Sequence, residues 1–173
     1  MTFDEAVKAG RVHVEDALAL FDSLPAVDIG SMRGTWQGRE FQTGHPLDGL
    51  LASTGWYGKQ FIDAESVHPL LFYTEDRKTV FPVDPRKWPS PELPGPVAPH
   101  RAVVETGQFK ARLRVMEYRG RLSATMVYDD RPSLDVFRKV DGDTLLGLMD
   151  AREMAPYFFV LRRDPEAPPR LRP

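Results

Sequence analysis

The chain has 173 residues, of which 42% are apolar and 28% charged, the balance of an ordinary globular domain with a real core. A net charge of −2 and a pI near 6.1 offer no basic face to duplex DNA, RNA or an anionic bilayer, so nucleic acid is not an expected partner. The absence of cysteine excludes disulfides, thiolate metal sites and a cysteine nucleophile. The acidic start Met1-Thr2-Phe3-Asp4-Glu5 and the lack of a long apolar run predict a cytoplasmic chain without signal peptide or stable membrane insertion.

Thr2 and Glu5 have the spacing of a capping box, and Val7, Val14, Ala17, Leu18 and Phe21 recur at helical intervals. One or two short helices are predicted up to Leu24, divided at Gly10 and ended by Pro25. Met32 to Phe41 alternates between turn residues and reads as a first strand carrying Trp36. His45 to Ser53 reads as one inserted short helix, with Pro46 in its first turn and Leu47, Leu50 and Leu51 on an apolar face. Pro69 to Tyr73 and Lys78 to Val83 read as strands joined by Thr74-Glu75-Asp76-Arg77. Pro85, Pro89, Pro91, Pro94 and Pro96 then crowd one segment, a rim loop or lid whose Trp88 either folds back on the body or covers an opening.

The second half reads more cleanly. Ala111 to Tyr118 and Leu122 to Asp129 flank Arg119-Gly120, Ser133 to Val140 and Thr144 to Asp150 flank Asp141-Gly142, and Tyr157 to Arg163 is a last strand. Residues 1–164 are expected to form a single domain, helical over 1–31 and a barrel over 32–164, with 165–173 a flexible tail. The expected fold is mainly β: a closed antiparallel barrel of eight or nine strands with an N-terminal helix and one inserted helix, closure removing exposed edges. Alternation sets Leu122, Ala124, Met126 and Tyr128 against Ser123, Thr125 and Val127, and sets Val136 and Arg138 against Asp135, Phe137 and Lys139.

Tryptophans flanked by glycine mark places where a large ring is seated against closely approaching backbone. The ordered blocks Gly34-Thr35-Trp36-Gln37-Gly38, Thr43-Gly44-His45-Pro46-Leu47-Asp48-Gly49, Gly55-Trp56-Tyr57-Gly58-Lys59 and His68-Pro69-Leu70-Leu71-Phe72 resemble the GXWXG family of small bacterial proteins. In that family the C-terminal half is classed as a domain of unknown function, and the resemblance runs from about Leu20 to Arg163. The Gly-x-Trp strand followed by a meander ending in arginine also resembles the calycin architecture of lipocalins and fatty-acid-binding proteins. That resemblance implies that an arginine of the last strand, Arg162 or Arg163, covers Trp36. The inserted helix and the second element Gly55-Trp56 depart from the pattern.

A barrel of this size has room for one small ligand, and the expected function is binding of a hydrophobic or amphipathic molecule, a fatty acid or phospholipid, inside it. The candidate ligand-binding residues are Trp56, Tyr57, Lys59, His45, His68, Tyr128 and Arg138, where a cation or phenol holds a carboxylate or phosphate. For each the competing role is a surface side chain or an internal ion pair. His45 and His68 lack zinc-motif spacing, and capping or turn roles compete there, so neither a metal nor a cofactor is expected. Two other classes remain: an enzyme using His45, Tyr57 or His68 for acid/base chemistry in the same cavity, and a solid barrel recognising a partner through an exposed patch. No nucleophile elbow or other motif announces a reaction.

Overall fold

The computed structural model describes residues 1–166, and part of the expected tail, 167–173, lies outside them. The capping box at Thr2 is formed: the Glu5 amide donates to Thr2 Oγ1 at 3.3 Å and the Thr2 amide to Glu5 Oε2 at 2.7 Å. It starts α1 (Phe3–Ala9); α2 (Val14–Ser23) stops short of Pro25, and α3 (Ile29–Met32) is capped by Asp28. No helix among the described residues is long and apolar enough to cross a membrane.

The first strand is β1 (Gly34–Glu40). The inserted helix is later and shorter than its sequence signal, since α4 covers only Leu50–Thr54. The Asp48 carboxylate accepts from the Thr43 and Gly44 amides at 3.1 and 2.7 Å, which folds 46–49 into turns instead. Then follow β2 (Trp56–Phe61), β3 (Val67–Tyr73) and β4 (Val80–Pro82); a 3₁₀ turn (Ala98–His100) leads into α5 (Arg101–Val104). The second half supplies β5 (Ala111–Tyr118), β6 (Arg121–Tyr128), β7 (Ser133–Lys139), β8 (Thr144–Ala151) and β9 (Tyr157–Arg163), close to the predicted bounds.

These nine strands form one antiparallel sheet, so the protein is mainly β with few helices. Its pairings run β1, β2, β3, β5, β6, β7, β8, β9 and back to β1, a ring of eight. The β3 to β5 joint has a single paired position, Val67 with Ala111, because β4 occupies the other end of the same β3 edge.

Strand β2 was not foreseen as a strand, and its irregularity explains why. A regular strand places residues three apart on opposite faces, yet Trp56 and Lys59 both turn into the ring. The register of β2 against β3 shifts on both sides of Gly58, a bulge that re-aims the following side chain. Gly58 has φ 150°, and a Cβ there would stand 1.9 Å from the Trp36 carbonyl oxygen. Gly38 serves the ring interior similarly, since a Cβ on it would lie 2.0 Å from the Trp56 indole.

One half of the interior is filled by rings packed edge to face: Phe61 on Phe137 at 5.9 Å, Phe137 on Phe159 at 6.2 Å, and Phe159 on Trp56 at 5.9 Å. Trp36 is buried nearby, its indole N–H donating to the Met32 carbonyl at 2.7 Å. The Arg163 guanidinium lies 4.2 Å from the Trp36 ring centroid and donates to the Arg33 and Ser31 carbonyls at 2.6 and 2.8 Å. A second core lies outside the ring, where Phe3, Ala17, Leu20 and Phe21 of the helices cover Val136, Leu146, Leu148, Phe158 and Val160.

Gly58→Ala is expected to cost about 3 kcal/mol or more, because the new methyl meets backbone that cannot rotate away. Urea unfolding measures this, and a wild-type midpoint would contradict the close β1 to β2 approach.

Candidate functional site: an apolar cavity with a buried ion pair

The aromatic packing leaves the other half of the ring open as a cavity of about 430 Å³. Its walls are largely apolar, with Leu47, Leu50 and Leu51 from the inserted segment, Leu70 from β3 and Met149 from β8. The proline-rich segment both folds down and covers: Trp88 is buried against Phe72 at 4.7 Å while it and Pro89 line the cavity. Arg131 fastens that segment by donating to the Pro85 carbonyl and, at 2.9 Å, to the Trp88 carbonyl.

At the deep end sits an ion pair. Lys59 Nζ lies 2.7 Å from Asp135 Oδ2, and the two side chains are only 3% and 1% exposed. Lys59 also donates to the Pro69 carbonyl at 3.0 Å and the Tyr128 hydroxyl at 3.4 Å, so its three N–H bonds have partners within the protein. Three rings surround the ammonium, those of Trp56, Tyr128 and Phe159, with centroids at 5.7, 5.7 and 5.1 Å. Burial pushes the Asp135 carboxyl above its ordinary range against the opposing pull of Lys59, and burial likewise raises the Tyr128 phenol.

Of the seven residues singled out in the sequence, Trp56, Lys59 and Tyr128 line this cavity together. His45 stands behind its wall, ring centroid 5.1 Å from that of Tyr157, and its Nδ1 accepts from the Leu47 amide at 3.0 Å, a turn-capping bond. Tyr57, His68 and Arg138 lie elsewhere. Tyr57 turns out of the cavity and donates to Asp164 at 2.6 Å; burial and that carboxylate raise its phenol. His68 packs on Phe109 at 4.6 Å, and burial lowers its imidazole to about 4. Arg138 points out beneath α2, its guanidinium 4.6 Å from the Phe21 centroid and donating to the Tyr118 carbonyl at 2.9 Å. The acid/base group His45, Tyr57 and His68 is therefore not assembled at one place.

Arg131, Asp135, Arg152 and Tyr157 are polar residues of the cavity wall that sequence reasoning did not select. Asp135 had a signal, since it shares the face of Phe137, an inward-packing ring. Among the described residues no three His, Asp or Glu side chains gather as a metal site.

Fold and cavity together define a class: a mainly β protein with an apolar pocket inside a ring of strands. The chain belongs to the GXWXG family, whose model, described as GXWXG protein, matches residues 19–77, while a Domain of unknown function (DUF4334) matches residues 109–163. A crystal structure of a protein from Thermomonospora curvata is similar at 31% identity and a TM-score of 0.72, covering 93% of this chain and 95% of that one. No curated protein matches.

Lys59→Met strands a buried carboxylate and is expected to cost about 3–5 kcal/mol, whereas Lys59→Met combined with Asp135→Leu should recover most of that loss. Chemical denaturation of both variants tests this; equal losses would mean that the pair is not desolvated.

Proposed function

We propose that the protein binds an amphipathic small molecule, a fatty acid or phospholipid, with its apolar body inside the cavity. The observation that carries this reading is the cavity itself, which has the size and mostly apolar lining of small-molecule sites. Burial of the ligand's hydrocarbon supplies affinity. Three cations, Lys59, Arg131 and Arg152, line the cavity against one carboxylate, Asp135. Arg131 and Arg152 make no salt bridge among the described residues, and Arg152 is exposed at the mouth. An anionic head, carboxylate or phosphate, therefore sits at the mouth near these arginines, and the tail runs inward.

In this reading the ring is a closed barrel of the calycin kind, with Arg163 over Trp36 as the cap between last and first strands. A second reading, an enzyme in the same cavity, is favoured by one observation: Lys59, Asp135 and Tyr128 place an ammonium, a carboxyl and a phenol in contact at the deep end. Proton transfer there would use Asp135 and Tyr128 in place of the histidines.

Ala151 lines the cavity and is half-buried, so Ala151→Trp fills the space without entering the aromatic half. Titration with a fluorescent fatty-acid probe should show wild-type uptake and at least a tenfold loss in the variant, with thermal stability kept. Equal uptake by both proteins would place the ligand elsewhere, and no uptake by either would remove the reading.

A further inference from the structure

Three residues that line the cavity each carry a buried polar atom without a hydrogen-bond partner among the described residues: Asp135 Oδ1, Trp56 Nε1 and Tyr157 OH. These residues are 1%, 7% and 5% exposed. Leaving such atoms unpaired opposes folding, and native proteins pair the great majority of them. The other three unpaired side-chain atoms, on Asp48, His68 and Arg138, belong to residues that do not line the cavity. The unmet hydrogen-bonding capacity is thus concentrated where the apolar ligand would lie.

The strands place these groups in a definite arrangement. Asp135 pairs with Met149 and Met149 with Tyr157, so the three occupy one row across β7, β8 and β9 and face inward together. Asp135 and Tyr157 are two strand spacings apart, about 10 Å, and the Tyr157 phenol is raised by burial and by the charges of Glu40 and Asp48, so it belongs to a different part of the wall from Asp135. Trp56 approaches from β2, its ring 5.7 Å from the ammonium that holds Asp135. Asp135 Oδ2 is engaged by Lys59 and Tyr128, which leaves Oδ1 as an acceptor awaiting a donor. A ligand carboxylate or phosphate has no proton to give and would be repelled there. A hydroxyl meets the need, donating to Oδ1 and accepting from an N–H beside it.

We infer that the ligand is an oxygenated amphipath, whose apolar body carries a hydroxyl at the deep end of the cavity, received by Asp135 with Trp56 as donor. This rests on the binding reading above and narrows it: an acid head at the arginine-lined mouth, hydrocarbon along the wall, and an alcohol at the ion pair.

Calorimetric titration of dodecanoic acid and ω-hydroxydodecanoic acid, and of the ten-carbon pair, separates the two levels of the argument. The wild-type protein is expected to prefer the hydroxylated acid of at least one pair by about tenfold or more, the worth of a hydrogen bond to a charged group. Asp135→Asn should abolish the preference, and retained binding of the plain acid shows that this variant is still folded. Equal affinity for plain and hydroxylated acids, as when ordered water satisfies the three atoms, overturns the inference and leaves the binding reading standing. Failure of all four acids to bind overturns both.

Discussion

A lysine on β2 and an aspartate on β7 meet inside the ring, four strands apart by either route round it. Each charge alone would be costly in that apolar interior, and only their contact, with Tyr128 and the Pro69 carbonyl completing the shell, makes either tolerable. The pair therefore couples opposite walls at one height. It also sets the chemistry of the open half, since hydrocarbon surrounds a polar point that is neutral as a unit yet retains one unpaired carboxylate oxygen.

That contact depends on a local device in the backbone. Without the bulge at Gly58, the spacing from Trp56 to Lys59 would send one of them outward, and the interior would lose either an aromatic wall or its cation. Gly38 performs the matching task on β1 by admitting the indole of Trp56. The glycine and tryptophan pattern is thus a means of fitting large rings and a charged side chain into a narrow ring of strands. The rings pack one half solid, and the Leu47 to Leu51 segment and Trp88 wall off the other.

Local signals were legible in the sequence. The Thr2 and Glu5 capping box, the stop before Pro25 and the hairpins at Arg119-Gly120 and Asp141-Gly142 depend on residues within a few positions of one another, and all appear where the chemistry predicts. Strand β2 was hidden because its bulge breaks the alternation and nearly every position in it is buried. Arg138 shows a different limit. Alternation groups it with Val136 but does not say which face is inside, and α2 gives the outer face an apolar cover of its own. Tyr57 is another buried outward residue, held by Asp164 more than a hundred positions away. The Lys59 to Asp135 contact likewise joins distant positions, so no spacing rule could announce it, although the shared face of Asp135 and Phe137 pointed inward.

Three features converge on one account: an apolar cavity, Arg131 and Arg152 in its wall with no salt bridge among the described residues, and unpaired polar atoms on residues that line it. In the proposed reading, affinity arises from hydrocarbon burial and selectivity from the polar groups in the wall. The most direct measurement is mass spectrometry of the organic extract of protein purified under mild conditions, beside the same extraction of the Ala151→Trp protein. The account predicts an amphipathic molecule, near one per chain, from the wild type and little from the variant. An empty wild-type extract, together with electron density showing only water in the cavity after soaking with lipid, would contradict it.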